Sequence, residues 1–350
     1  QYQEGTNEYV AVRPELKKQI EELYRKHPEE ARDSFGEDPF EVKNILKYWV
    51  FSEKPEFHVI PTDTINIHID KDALLRSGIM LPKTIRHLKG EDLKDAIPDK
   101  LYIPLTDIRM LTKVDLLMLE MLANCNWERP LYLAISVGSV SKLKFDNYFV
   151  QEGLAFRFTP FDYKKWGDVG ENRLYAVDVE RLYNNVMNRY KYGGLDTPGL
   201  YLDETTLRTC WYHRRLFAQL AKELIAQGDN ERAKKVLAYA EQVIPGYNVP
   251  ETHESGSYDI ATAYAALGEK TKAVTLAVHL IAEAEDYINW AFSLKGNRIE
   301  MVRNDCIYKF WQWNQYNELL KKIDGEKYKE SNRRFEEKYA LFAPTMNYKN

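Results

Sequence analysis

Residues 217–245 read FAQLAKELIAQGDNERAKKVLAYAEQVIP, two stretches of helical period that flank the short turn QGDN. Their apolar positions form two facing stripes, Leu216, Phe217, Leu220 and Leu224 on one side and Val236, Leu237, Ala240 and Ile244 on the other. Gly228 gives the backbone the freedom to turn, and Pro245 stops the second stretch. The pattern predicts two antiparallel helices packed face to face.

Residues 257–284 repeat this pattern at an offset of 40 residues, which is the difference between Gly268 and Gly228. The matched pairs, first copy first, are Ala221 with Ala261, Gly228 with Gly268 and Ala233 with Ala273. Small side chains at these points let two helices approach closely. We therefore expect two helical hairpins between residues 215 and 284, with turns at 228–230 and 268–270.

The first copy resembles a tetratricopeptide repeat, in which Gly, Ala, Ala and Pro recur at the positions of Gly228, Ala233, Ala240 and Pro245. The second copy has Leu280 in place of the second alanine and lacks the closing proline. Two copies are fewer than the roughly three that a solenoid needs, so a generic bundle of hairpins stays open. Helices near 298–323 and 326–342 are expected to complete the stack.

The bulk composition limits the classes of function. With 49 basic and 53 acidic side chains, the formal net charge is −4, and a nucleic-acid-binding surface would need a clear basic excess. Hydrophobic residues make up 44% of the 350, which is enough for a substantial core. Cys125, Cys210 and Cys306 lie far apart without a CxxC spacing, so we expect buried free thiols.

The spacing of apolar residues follows a strand period in part of the N-terminal half and a helical period in the C-terminal half, which predicts an α+β fold. β-branched runs between residues 57 and 160 predict strands at FHVIP, TINIHID, KLYIPL, RPLYLAIS, DNYFV and LAFRFTP. Thr112 and Asp115 have capping-box spacing and predict the start of a helix. We predict three parts: a helical linker segment at 1–56 that follows a membrane region, a mixed α/β domain at 57–200, and a helical tetratricopeptide-like domain at 201–345.

No motif in the sequence points to a particular reaction. The phosphate-binding loops GxxxxGKS/T and GxGxxG, the zinc motif HExxH and the nucleophile motif GxSxG are all absent. The seven histidines never stand four residues apart or in a cluster with cysteines. We therefore assign no catalytic residue, no metal ligand and no cofactor.

Residues 307–316, IYKFWQWNQY, form the densest aromatic run of the chain. At helical spacing one face carries Tyr308, Trp311 and Gln315, and another carries Phe310, Trp313 and Asn317. The run is a candidate platform for a sugar or a peptide, and packing between the last helices is the alternative.

A second stretch, residues 201–215, carries Arg208, Arg214 and Arg215 among aromatic side chains. Arginines at this spacing can bind an anion, or they can pair with acidic side chains of the same stretch, Asp203 and Glu204. The salt-bridge network is the simpler interpretation.

Three stretches together resemble a known family: NCNWERPLYLA (124–134), YFVQEGLAFRFTP (148–160) and LYLDETTLRTCWYHRRLFAQLAKELIAQGD (200–229). In this order they look like the soluble C-terminal region of a bacterial family of multi-pass membrane proteins. That family resembles protein O-mannosyltransferases and carries tetratricopeptide-type helices at its C-terminus. The resemblance covers most of residues 57–290.

The resemblance implies that membrane-spanning helices precede Gln1 and that this region lies on the periplasmic face of the inner membrane. The lipid-linked sugar donor and the acidic catalytic residue would lie in the membrane part, so this chain is expected to be non-catalytic. Its expected role is to bind acceptor protein or another partner, with glycans as a further class of contact and no nucleic acid. A stand-alone carbohydrate-active enzyme or sugar-binding module, and an assembly scaffold, are the alternatives.

A partner peptide is expected on the first helix of each hairpin, because helical repeats bind extended peptides on their concave face. The predicted binding residues are Tyr212, Arg215, Gln219, Glu223 and Tyr258. The alternative is that the α/β half or the aromatic run at 307–316 packs into this groove and fills it.

Overall fold

A computed structural model describes residues 9–137, 143, 145–170, 175–295 and 298–346. The chain forms two compact units, residues 1–178 and residues 179–350, which we describe separately. The predicted α+β class is confirmed, with 58% helix, 10% strand and the helices dominating the C-terminal half.

Unit 1, residues 1–178, contains three small sheets. Its strands are β1 Tyr9–Val12, β2 Val59–Ile60, β3 Thr64–His68, β4 Lys100–Pro104, β5 Met110–Thr112, β6 Tyr132–Ala134, β7 Phe149–Gln151, β8 Ala155–Phe158 and β9 Ala176–Val177. The strand orders are β2-β1-β5, β3-β4 and β6-β8-β7-β9. Its helices are α1 Lys17–Lys26, α2 Pro28–Phe35, α3 Val42–Ile45, α4 Lys71–Arg76, α5 Gly90–Ala96 and α6 Lys113–Asn124.

The six predicted strands of this unit are confirmed as β2, β3, β4, β6, β7 and β8, and β7 and β8 form the predicted hairpin. The strand β1 corrects the expectation that the first 56 residues are helical. It pairs in parallel with β2 and antiparallel with β5, so partners distant in sequence supply its hydrogen bonds.

Helix α6 begins at the predicted capping box. The Thr112 hydroxyl accepts from the Asp115 N–H, and the Asp115 carboxylate accepts from the Thr112 N–H at 2.8 Å. The buried face of α6, with Leu116 and Leu119, belongs to the same apolar core as the inward side chains of β3 and β4.

Unit 2, residues 179–350, is helical throughout its described part. Its helices are α7 Val179–Asn184, α8 Glu204–Ala226, α9 Asn230–Val243, α10 Ser257–Ala266, α11 Lys270–Ser293, α12 Arg298–Met301, α13 Arg303–Ile323 and α14 Gly325–Met346. Helix α10 packs on both α8 and α11, α11 packs on α13, and α13 packs on α14. No helix in the described ranges is long and apolar enough to cross a membrane.

The two helical hairpins predicted between 215 and 284 are confirmed as α8–α9 and α10–α11. Both turns contain a left-handed glycine, Gly228 with φ 81° and Gly268 with φ 79°. The four aligned alanines are fully buried, at Ala221, Ala233, Ala261 and Ala273. The further assignment of these hairpins to the tetratricopeptide type stays a prediction. Helices α13 and α14 occupy the positions expected for the completion of the stack.

The boundary between the two units lies after Asp178, whereas the sequence placed boundaries after residues 56 and 200. Residues 179–200 associate with the helices that follow them. The Arg232 guanidinium of α9 pairs with the Glu180 carboxylate at 2.7 Å, and the Asn248 amide donates to the Leu195 carbonyl at 2.7 Å. The glycines of this stretch predicted a loop, and these contacts show that residues 179–200 belong to the helical unit. All three cysteines are buried and free, as expected.

Gly228→Val should lower the free energy of unfolding by at least about 1 kcal/mol, because a β-branched side chain is strained at φ 81°. Urea unfolding followed by circular dichroism measures the change. Gly325→Ala is the matched control, because Gly325 begins a helix and an added Cβ there would meet nothing within 4 Å. Equal stability of Gly228→Val and the wild type would contradict a left-handed turn.

Candidate functional site

The predicted binding residues lie on α8 and α10, but they differ in accessibility. Arg215 is exposed, and its guanidinium carbon lies 5.8 Å from the centroid of the half-buried Tyr212 ring. Glu223 is only 8% exposed and accepts a hydrogen bond from the Gln219 amide at 2.6 Å. Tyr258 is half-buried, with its hydroxyl 3.4 Å from the Gln315 carbonyl of α13. A binding role for the five residues stays a prediction.

Arg214, next to Arg215 in the sequence, organises the loop between α9 and α10. It is 3% exposed, and its guanidinium donates to four oxygen atoms of that loop and of the end of α9. These are the carbonyls of Ile244 (3.0 Å), Val249 (2.6 Å) and Pro250 (2.8 Å) and the Ser255 hydroxyl (3.1 Å). Burial lowers the pKa of Arg214 to about 10, so the group stays charged at neutral pH.

The predicted salt-bridge network of residues 201–215 is therefore confirmed only in part. Arg208 does pair with Glu204, at 2.5 Å, while Asp203 caps α8 by accepting from the Thr205 and Thr206 N–H groups. Arg214 contacts backbone carbonyls instead of these carboxylates, because its helical position turns it toward the loop.

The α9–α10 loop, to which Arg214 donates hydrogen bonds, places His253 and Glu254 in contact with α13. One ring nitrogen of His253, Nδ1, lies 2.8 Å from the Tyr316 hydroxyl. The Glu254 carboxylate accepts from the Gln312 amide at 3.0 Å, and its backbone carbonyl accepts from Arg215 Nε at 2.5 Å. The loop is thus fixed from both α8 and α13.

An exposed pair of aromatic rings lies beside this loop. The rings of Tyr308 and Trp311 are nearly parallel, with centroids 5.6 Å apart and an interplanar angle of 10°. Tyr308 is 44% exposed and Trp311 is 50% exposed. The His253 ring stands at a steep angle to both, with centroids 6.1 Å from Tyr308 and 5.6 Å from Trp311. The His253 ring also stacks on the Tyr258 ring, with centroids 5.8 Å apart.

We call this group the His253 cluster: His253, Glu254, Tyr258, Tyr308, Trp311 and Tyr316. The packing interpretation of the aromatic run is confirmed for one face of α13, while its role as a binding platform stays a prediction. Phe310 and Trp313 are buried in the packing of the last helices, while Tyr308 and Trp311 face outward, as helical spacing predicted. Sequence reasoning missed His253 and Glu254, because an irregular loop brings them to this position.

Several polar atoms of the cluster have no partner within the described part of the chain. The Tyr308 hydroxyl, the Trp311 indole N–H and the second ring nitrogen of His253 make no hydrogen bond there. The side-chain oxygen of Gln312, below the cluster, is buried without a donor among the same residues. These three polar groups can therefore bond to a ligand.

Burial and hydrogen bonding set the charge of the cluster. Burial lowers the pKa of His253, which favours the neutral imidazole. Burial alone would raise the pKa of Glu254, but backbone hydrogen bonding, the charge of Lys309 and the Gln312 amide together lower it. The Lys309 ammonium is itself paired with Glu283 at 2.7 Å. At neutral pH the cluster thus carries one carboxylate at its edge and a neutral aromatic surface.

Unit 1 contains a second candidate, a polar cleft of about 730 Å³ beside β3 and β4. Three of its lysines form ion pairs, Lys100 with Asp38 (2.6 Å), Lys71 with Asp99 (2.7 Å) and Lys94 with Asp72 (2.8 Å). The fourth, Lys43, donates to the Asn126 side chain at 2.9 Å. Each ammonium of this cleft therefore already has a partner.

The backbone at the edge of this cleft is unusual. Asn126 and Trp127 both have positive φ, 47° and 60°, a conformation that is uncommon for an asparagine and strained for a bulky side chain. The Trp127 indole N–H donates to the His68 carbonyl at 2.8 Å, which holds the turn in place. The stretch NCNWERP, part of the family resemblance, thus has a structural role at this turn.

A groove of about 480 Å³ lies between α9, α10 and α11 in unit 2. Its main polar group, the Glu241 carboxylate, accepts from the Tyr264 hydroxyl at 2.5 Å and from the Lys272 ammonium at 2.8 Å. Because these groups satisfy one another, the His253 cluster is the stronger candidate.

Arg214→Leu should lower the free energy of unfolding by at least about 3 kcal/mol, because the buried carbonyls of Ile244, Val249 and Pro250 lose their donor. Arg208→Leu, on the same helix, is the control and should cost less than about 1 kcal/mol, as its ion pair is exposed. Urea unfolding of both variants checks this, and equal losses would contradict the role of Arg214.

The stability of the chain should fall as the pH is lowered from about 6.5, the ordinary pKa of histidine. Burial lowers the pKa of both His213 and His253 in the folded state. The unfolded chain then binds protons at a higher pH than the folded chain does, and this difference favours unfolding. His253→Gln should reduce the slope of unfolding free energy against pH between about 5 and 6.5. The exposed His279, replaced by Gln, is the control, and identical slopes for all three proteins would refute the expectation.

Comparison with known proteins finds one family, and its match covers unit 1. A family model described as TMEM260-associated domain 2 matches residues 1–180, whereas no curated protein and no solved structure matches the chain. The match is consistent with the resemblance to membrane proteins related to O-mannosyltransferases, while bacterial origin and tetratricopeptide repeats stay predictions. Because the matched residues 1–180 are more than half of the 350, the chain belongs to the TMEM260-associated domain 2 family.

Proposed function

We propose that this chain is the acceptor-binding region of a membrane-bound glycosyltransferase-related protein. Membership of the TMEM260-associated domain 2 family supports the relation to a membrane glycosyltransferase. In this proposal the chain does not transfer sugar itself, and it lies on the periplasmic face of the inner membrane. The sequence resemblance supports both points, since it implies that the donor site lies in a membrane part and that this region lies on the periplasmic face.

The observation that carries the acceptor-binding role is the continuous surface formed by Arg215 and the His253 cluster. Arg215 lies beside Tyr212 and bonds to Glu254, and the same loop brings His253 against Tyr308 and Trp311. Tyrosine, tryptophan and arginine are the residues that most often contribute the binding energy of protein interfaces. Their side chains lie here on firmly packed helices, which limits the conformational entropy lost on binding.

The packing of this surface also favours a polypeptide over a compact ligand. The groups of this surface belong to three separate segments, α8, the α9–α10 loop and α13, so a ligand would need to extend across all three to contact them. Helical hairpins of this kind bind extended segments through several modest contacts. Broad and weak recognition suits a protein that must accept more than one sequence.

A sugar-binding module is the second candidate function, favoured by the stacked and exposed rings of Tyr308 and Trp311. Flat aromatic surfaces with polar tips suit ligands that have one apolar face and one wet edge. In that case glycans would bind without any attached polypeptide.

A peptide-array or crosslinking screen on the full chain tests the proposal. Peptides that bind the wild type should bind the double variant Tyr212→Ala, Arg215→Ala at least about tenfold more weakly, which is about 1.4 kcal/mol. The matched control replaces one exposed tyrosine and one exposed arginine elsewhere in unit 2, Tyr201→Ala with Arg333→Ala. Peptides that bind the double variant as well as the wild type would show that this surface is not the binding site.

A further inference from the structure

The three polar groups of the His253 cluster that have no partner in the described residues share one chemical property. The Trp311 indole nitrogen can only donate a hydrogen bond, and the Tyr308 phenol donates readily. The buried Tyr316 keeps its phenolic proton, because burial raises its pKa. When Tyr316 donates that proton to His253 Nδ1, at 2.8 Å, the neutral ring carries its own proton on Nε2. All three groups can then donate a hydrogen bond to a ligand.

A ligand that matches this surface supplies acceptors together with flat apolar groups. Proline has no backbone N–H, so a proline-rich segment offers carbonyl oxygens and few donors. In the polyproline II conformation these carbonyls have no internal hydrogen bonds and face the surroundings. Prolyl rings pack on aromatic side chains, and such segments lose little entropy on binding.

The dimensions of the aromatic surface agree with a short segment of this kind. The ring centroids of His253, Tyr308 and Trp311 form a triangle with sides of 5.6, 5.6 and 6.1 Å. One turn of polyproline II, three residues, spans about 9 Å. The sides of the triangle therefore match the rise of about two residues, roughly 6 Å, which allows one or two prolyl rings against the aromatic faces.

We propose that the His253 cluster binds a proline-rich segment in the polyproline II conformation, with Trp311 and Tyr308 donating to its carbonyl groups. This inference rests on the proposed function, because it specifies the acceptor polypeptide that the same surface binds. A neutral sugar fits less well, since each of its hydroxyl groups adds a donor that needs an acceptor on the cluster. The cluster's one carboxylate, that of Glu254, is half-buried and already accepts a hydrogen bond from the Gln312 amide.

The test uses the full chain with its tryptophans labelled at the indole nitrogen, and decaproline as the probe. The Trp311 signal, identified by its absence in Trp311→Phe, is expected to shift on titration with decaproline. The Trp290 signal is the internal control and should stay in place, because Trp290 is equally exposed on α11, outside the cluster. A glycine–serine peptide of the same length should shift neither signal.

Matched variants separate hydrogen bonding from ring packing. Trp311→Phe and Tyr308→Phe keep an aromatic ring but lose the donor, and each should weaken decaproline binding by about fivefold, the loss expected for one hydrogen bond. Trp290→Phe should leave binding unchanged. Unchanged affinity in both donor variants would overturn the proposed hydrogen bonds.

The remaining outcomes distinguish this inference from the proposed function. Binding of peptides from the array, with no response to decaproline, would overturn the proline preference and leave acceptor binding intact. A Trp311 shift with methyl glucoside and none with decaproline would identify a sugar site instead. If no peptide of any composition binds the chain, the proposed function and this inference fail together.

Discussion

The buried guanidinium of Arg214 is the interaction on which the candidate site depends. The carbonyl groups of Ile244, Val249 and Pro250, at the start of the α9–α10 loop, all accept hydrogen bonds from this one side chain. A planar group with five donors can bond to several acceptors at once, which a lysine cannot do. The helix α8 therefore fixes the position of the whole α9–α10 connection.

The His253 cluster follows from this constraint. The loop contributes His253 and Glu254, and α13 contributes Tyr308, Trp311 and Tyr316, so neither element forms the site alone. Gly256 lets the loop pass close to α8, because an added Cβ there would lie 2.9 Å from Arg215 Cγ. Arg215 in turn bonds to the Glu254 carbonyl. Two adjacent arginines thus have separate tasks, one inside the loop and one at its surface.

Local patterns allowed the sequence to predict the helical hairpins, the capping box of α6 and the outward face of Tyr308 and Trp311. The capping box and the outward face depend on residues fewer than ten positions apart, such as Thr112 and Asp115, and each hairpin depends on two apolar stripes joined by one short turn. The strands β1 and β5 were not predicted, because their pairing depends on partners far away in the sequence. His253 and Glu254 were missed for a similar reason. Their place at the site depends on Arg214, about 40 residues earlier, and its contacts with the loop follow no sequence period.

The two candidate sites differ in whether their polar groups already have a partner within the chain. In the cleft of unit 1, a charged ligand would have to displace an existing ion pair, such as that of Lys100 and Asp38, before it gained a new one. Such an exchange contributes little net binding energy. In the His253 cluster the outward donors of Tyr308 and Trp311 have no partner in the described chain, so a ligand displaces only water. Aromatic area buried at the same time adds to that gain. A neutral, acceptor-rich ligand therefore gains more at the helical unit than a charged one gains at the cleft.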